Sequence, residues 1–302
     1  MEIFLPVAGV QTSASLIFGL GGMVGLLSGL FGVGGGFLLT PLLMMIGIPP
    51  AVAAASDTNQ IVAASVSGTL AHSRAGNVDF KLGLIMLFGG LTGGTFGASL
   101  VKILRQLGNF DFTVKLIYVV MLLGVGSFMF IESFNALRKK EPQAAGIGQP
   151  FPLVRRLPLR VYFPVSDLEC SVIALFALGF LIGILAALMG VGGGFIMLPV
   201  MIYLLGIPTH LAVGTSLFTV VLTAVNVTLA QATINQTVDV VLALLLLLGS
   251  ATGAQLGARI GRLLKAEQLR IVFSFVVLGV MVKMLYDLLA TPGSLIVFGG
   301  GH

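Results

Sequence analysis

The chain has 302 residues, 57% of them hydrophobic and 9% charged, with a formal net charge of +5. A soluble domain carries charge on roughly 25% of its residues, so this chain lacks the polar surface a water-facing fold needs. Between Glu2 and Arg74 the only acidic, basic or histidine side chains are Asp57 and His72, and between Cys170 and Arg259 only His210 and Asp239. Apolar stretches of this length are stable in lipid, which makes this an all-α integral membrane protein. The basic residues fall in short loops between apolar runs, the placement of a positive-inside membrane protein rather than of a nucleic-acid binder. A single cysteine, Cys170, excludes an intrachain disulfide and a cysteine metal cluster.

In chain order, Met1 to Pro6 carries no Lys or Arg ahead of the first apolar run. That argues against a cleaved secretory signal, and the first hydrophobic segment is expected to remain a membrane helix. Run length and breakers predict helical segments over 12–31, 37–48, 51–73, 82–104 and 113–134. A basic linker over 135–167 follows, holding Arg138, Lys139, Lys140, Arg155, Arg156 and Arg160. Further helical segments are predicted over 168–189, 195–205, 209–234, 240–264 and 269–290. The second segment of each set is too short for a simple span, which needs about 20 residues.

These two sets are copies of one unit. Residues 25–41 read GLLSGLFGVGGGFLLTP and residues 183–199 read GILAALMGVGGGFIMLP, so Gly32 recurs as Gly190 and Pro41 as Pro199. Gly47-Ile48-Pro49 recurs as Gly206-Ile207-Pro208, Val78-Asp79 as Val238-Asp239, and Gly93 and Gly97 as Gly253 and Gly257. The organisation is therefore a first transmembrane repeat over 12–134, a cytoplasmic linker over 135–167 and a second transmembrane repeat over 168–290. Tails without Lys or Arg favour the outer side and the basic linker the inner side. An outside start and an inside middle require an odd number of crossings per copy, so the two repeats are expected to be inverted, with both termini periplasmic. In such architectures the substrate sits between the repeats near the midplane.

The strings Gly32-Val33-Gly34-Gly35-Gly36 and Gly190-Val191-Gly192-Gly193-Gly194 interrupt apolar helical sequence. Non-helical backbone at membrane depth requires burial in protein or a water-filled cavity, and a helix that restarts there aims free N–H groups at the gap, which attracts anions. Close helix packing is the competing account of such glycines; their occurrence at matching places in both copies favours a site. Neither string has the Lys-Ser/Thr or the βαβ context of a nucleotide loop. The third helix then presents Ser56, Asp57, Asn59 and Gln60 in copy one against Thr215, Ser216 and Thr219 in copy two, with Asn226 further on. These groups suit coordination of anion oxygens, while capping of the helix start accounts for the hydroxyls equally well.

An acid inside an apolar helix is costly and commonly functional, which marks Asp57 for ion coupling by a proton or sodium, with His72 as its candidate coupling partner. Fifteen residues separate them, about 22 Å along a helix, so they cannot touch. Asp79 and Asp239 begin the fourth helix of each copy and read as caps. Gly93/Gly97 and Gly253/Gly257 read as helix-packing positions. No catalytic triad or metal-ligand cluster assembles at workable spacing, so an enzyme is not expected and no cofactor is implied.

The twice-occurring Gly-x-Gly-Gly-Gly with Pro at a fixed distance, the Gly-Ile-Pro turn and Ala212-Val213-Gly214-Thr215-Ser216-Leu217 resemble the sulfite exporter TauE/SafE family of membrane permeases. The resemblance covers the chain outside the linker and tails. It implies movement of a sulfur-containing anion (sulfite, sulfoacetate or another organosulfonate) across a bacterial inner membrane. Copy one departs from the pattern, with Ser56-Asp57 where copy two has Thr215-Ser216, and the long basic linker is atypical. The expectation is a secondary transporter of a small anion coupled to an ion gradient; a passive anion channel or a carrier of another small carboxylate or inorganic anion is the alternative.

Overall fold

The computed structural model describes residues 2–31, 36–138, 157–261 and 266–289. The first copy opens with a two-stranded hairpin, β1 (Glu2–Leu5) and β2 (Val10–Ser13). Five helices follow: α1 (Ala14–Phe31), α2 (Gly36–Met45), α3 (Pro50–Arg74), α4 (Phe80–Gln106) and α5 (Phe110–Arg138). The second copy repeats the plan with β3 (Arg160–Phe163), β4 (Leu168–Ser171), α6 (Val172–Met189) and α7 (Gly194–Pro199). It continues through α8 (Thr209–Ala230), α9 (Val240–Gly261) and α10 (Ala266–Leu289). Wide π turns extend α7 over Val200–Leu204 and α8 over Gln231–Asn235. At the first of these, Pro199 withholds an N–H from the ladder, a local cause of irregular winding. By length and composition, Phe80–Gln106, Val172–Met189, Thr209–Asn235 and Val240–Gly257 can each cross a membrane. Phe88, Phe96, Leu181, Leu244 and Leu248 stand exposed on the outer surface, as lipid-facing side chains do.

The hairpins correct the expectation that nothing but helix and linker would be found. Arg160–Phe163 lies in the stretch read as linker, and Leu168–Ser171 in the stretch read as helix. Pairing runs from Glu2↔Ser13 to Leu5↔Val10 in the first hairpin and from Arg160↔Ser171 to Phe163↔Leu168 in the second. They are part of the repeat: Pro6-Val7 recurs as Pro164-Val165 at the spacing that relates Gly32 to Gly190. Leu5 and Phe163, at matching places, are both fully buried. Burial also pushes the Cys170 thiol, in β4, up to about 11.

Each copy completes the other. The glycines of α9 meet α1, where a Cβ on Gly253 would collide with the Gly22 carbonyl and one on Gly257 with Leu26. The glycines of α4 meet α6 in the same way, Gly93 against Phe180 and Gly97 against Ile184. Backbones approach this closely only where side chains are absent. Residue numbers rise together along both pairs, so α1 runs parallel to α9 and α4 parallel to α6. The other two large contacts join counterparts. Gly68 faces Leu217 while His72 faces Gly214, so α3 and α8 run antiparallel. Gly126 of α5 faces Leu278 of α10 while Phe130 faces Phe275, again antiparallel. Counterpart helices that run in opposite directions make this an inverted repeat, as the charge pattern predicts.

Candidate transport site

The two broken helices meet at the centre. Phe37 on α2 stacks on Phe195 on α7, with ring centroids 4.1 Å apart and planes 8° from parallel. They are the same position of the repeat, so the approximate two-fold axis passes between their rings. α6 ends at Gly190 (φ 74°) and the chain returns through Gly192 (φ 64°) and Gly193 (φ 80°) before α7 starts at Gly194. A side chain at these φ values is strained, which is why the break needs glycine. Gly192 lies against Ile61 and Gly194 against Val220, each near the middle of its helix, α3 or α8. The second break therefore re-enters the bundle and restarts as a helix at mid-depth. In the first copy Gly36 begins α2 and is buried, against Ile61; Gly34 and Gly35 lie outside the described residues.

Asp57 lies seven residues into α3, about 10 Å along its axis, and is fully buried. Its Oδ2 accepts from Thr40 Oγ1 at 2.8 Å, and a Cβ on Gly36 would stand 3.3 Å from the same oxygen. Oδ1 has no hydrogen-bond partner among the described residues, and neither has Oε1 of Gln60, one turn on and nearly as buried. Tyr118, reaching in from α5, donates its hydroxyl to the carbonyl of Met189, the residue before the second glycine break. Thr58 Oγ1 donates to the Gly190 carbonyl at 3.2 Å. The polar groups of copy one are thus tied directly to the break of copy two.

The remaining expected site residues divide into those near the breaks and those elsewhere. Ser56 and Thr215 are matched positions that do the same work: Ser56 Oγ accepts the N–H of Asp239 at 3.1 Å, and Thr215 Oγ1 that of Asp79 at 2.9 Å. Ser216 and Thr219 return their hydroxyls to their own helix at Val213 and Thr215. Asn59 donates to the Ala55 carbonyl at 3.2 Å and borders a cavity of ≈ 340 Å³ between α3, α8 and α9. The structure does not bring Asn226 to the breaks. Its amide spans to α4, donating to the Leu91 carbonyl and Thr95 at 3.0 and 3.1 Å. His72 sits at the far end of α3, against the start of α8, so Asp57 and His72 are not one site, as their spacing requires.

Asp79 and Asp239 cap their helices, as expected, through Leu82 N–H in one case and Val241 and Leu242 N–H in the other. Each also holds the hairpin of the opposite copy, which sequence reasoning missed. Asp239 Oδ2 accepts the Val7 and Ala8 N–H groups at 3.0 and 3.4 Å, and Asp79 Oδ2 accepts from Ser166 Oγ at 2.8 Å. A two-stranded hairpin alone is marginally stable at best; these carboxylates anchor it. The signal was present in the recurrence of Pro-Val at the repeat spacing, but nothing local joins residue 7 to residue 239.

Crossed helices, a re-entrant break in the second copy and an interior shared by both copies are the frame of a transport protein, and comparison with known proteins gives the family. Residues 17–284 match the sulfite exporter TauE/SafE family. The chain belongs to that family. "Probable membrane transporter protein YunE" of Bacillus subtilis is 27% identical over 276 residues, covering 89% of this chain and 96% of that protein. A "Probable membrane transporter protein" of Xylella fastidiosa is 27% identical over 285 residues, 91% of this chain and 97% of its own length. "Sulfite exporter TauE/SafE family protein 5" of Arabidopsis thaliana is 30% identical over 132 residues, 43% of this chain and 29% of that protein. No solved structure matches. The chain is a membrane transporter of this family rather than an enzyme.

Proposed function

We propose that the protein is a secondary transporter of a small sulfur-containing anion, an organosulfonate or sulfite, across a bacterial inner membrane, driven by an ion gradient. The observation that carries the reading is the meeting of two glycine-broken helices on the axis between inverted repeats. Their restarted ends at Gly36 and Gly194 offer helix N-termini and positive dipole ends to an acid group held between the copies. Gly192, Gly193, Gly194 and Gly36 form the anion contact in this reading; Gly34 and Gly35 of the same motif lie outside the described residues. Asn59, Gln60, Ser216 and Thr219 would line the path on either side. The family name supports sulfur chemistry, and the basic linker supports a cytoplasmic middle with periplasmic termini.

Radiolabelled sulfonate or sulfite flux into proteoliposomes tests the proposal. Saturable uptake that one sulfur anion inhibits in favour of another supports it. Flux that rises linearly with concentration favours the passive channel, and no flux for any sulfur anion rejects the reading.

A further inference from the structure

The repeat is symmetric in backbone and asymmetric in chemistry at one place. Pro41 matches Pro199, Ala55-Ser56-Asp57 matches Gly214-Thr215-Ser216, and Leu123-Gly124-Val125 matches Leu278-Gly279-Val280. In that register Thr40, Asp57 and Tyr118 of copy one stand where copy two has Leu198, Ser216 and Phe273. Three polar groups that converge on one buried spot are replaced together, and the acid is among them.

We infer that Asp57 carries the coupling proton, one per transport cycle, because the Thr40–Asp57–Tyr118 cluster gives copy one a buried acid, with an oxygen unpartnered among the described residues, that copy two lacks. This rests on the transporter reading above and names the ion that drives it. In one turn of the cycle an O–H bond forms at the carboxylate with a proton from water on one side of the membrane. The same bond breaks on the other side and returns the proton to water there. No further reactant is needed.

The surroundings favour a proton over a metal cation. Oδ2 is already engaged by the Thr40 hydroxyl, and Gly36 and Ile61 pack beside it, so among the described residues that oxygen is closed to a bare cation. Among the described residues, one titratable group faces the acid. Tyr118 comes from α5, its hydroxyl committed to Met189. Asp239 begins α9 beside Ser56, its oxygens taken by four backbone N–H groups. α2, α6 and α8 present no titratable side chain to Asp57 among the described residues. Asp239 thus has a full set of donors, whereas Asp57 takes its only side-chain donor among the described residues from Thr40. The second is the one that a proton completes.

The same cluster explains how proton and anion would feel each other. Tyr118 and Thr58 hold the carbonyls of Met189 and Gly190, so a change at Asp57 acts on the backbone that leads into the second glycine break.

The test compares two readouts of the full chain in proteoliposomes: exchange of an organosulfonate across the membrane without any gradient, and net uptake driven by a pH difference. The wild type is expected to do both. Asp57→Asn is expected to lose at least about tenfold of pH-driven uptake, a tenfold change being 1.36 kcal/mol, and whatever exchange it retains is expected to lose its dependence on pH, which a merely structural role would leave in place. PH-driven uptake that survives in Asp57→Asn overturns the inference, as does wild-type uptake that follows sodium and ignores pH. Failure of wild-type exchange with every sulfur anion instead rejects the transporter reading. Thr40→Val keeps the acid and removes its side-chain donor. It is expected to displace the pH profile of uptake by about half to one unit, the worth of one hydrogen bond, and an unmoved profile counts against Asp57.

Discussion

The two halves of this molecule share a plan and differ in what they bury. In the second copy, the ground between α7 and α8 carries Leu198 and Ser216, whose hydroxyl turns back to Val213. In the first, the same ground carries Thr40 and a fully buried Asp57 with one oxygen unpartnered. A second difference lies two residues on. Phe218 fills its half by packing edge-on against Phe80, centroids 5.2 Å apart, and against Gly83. Its counterpart Asn59 leaves the ≈ 340 Å³ cavity. Symmetry is kept where backbones cross and lost at the buried polar cluster. The proposed coupling group is needed only once, whereas the crossings are built into both copies.

The strongest way to break this comparison is at the crossings, which should respond alike in both copies. Gly93→Leu and Gly253→Leu each drive a side chain into a facing carbonyl, on Phe180 and on Gly22. Each is expected to cost more than about 4 kcal/mol, the range of severe overpacking, and to abolish monodisperse protein in detergent. Normal yield from either variant contradicts the close crossing on that side.

Next come the hydroxyls that hold the capping aspartates. Ser56→Ala and Thr215→Val each leave a buried N–H, on Asp239 or Asp79, without its acceptor. Each is expected to lower stability by about 1–3 kcal/mol, read as a fall in thermal midpoint in detergent. A large effect in one copy alone would show that the two latches are not equivalent. The smallest expected effect runs the other way. Asn59→Phe copies the second half into the first and should raise stability by about 0.5–2 kcal/mol, as cavity-filling changes commonly do. A fall would mean that the cavity is not free to accept a ring.

Most of the helices could be read from the sequence, because lipid makes run length decisive. α3, expected over 51–73, runs from Pro50 to Arg74, and α8 begins at Thr209, one residue after its proline. The inversion was legible from where Lys and Arg fall. What stayed hidden was polar and long-range. The hairpins are only four residues per strand and are held by Asp239 and Asp79 from more than eighty residues away, a distance that no local pattern spans. Of the candidate site, Gly192 to Gly194 and Asp57 drew notice in the sequence from spacing and from the cost of a buried charge. Tyr118 could not, since a tyrosine in an apolar helix is unremarkable until the fold places it at Met189. Asn226 drew notice for the same cost, but its demand is met by α4.

The central claim, an anion carrier in which only one copy binds a proton, is tested most directly by stoichiometry. Proteoliposomes held at zero membrane voltage with a fixed pH difference are allowed to reach a steady gradient of an organosulfonate whose acid group stays ionised throughout. One proton per anion predicts a tenfold anion gradient for each pH unit, since both equal 1.36 kcal/mol. A hundredfold gradient per unit would require a second proton site, and no gradient would mean that protons do not drive the carrier; either result contradicts the account.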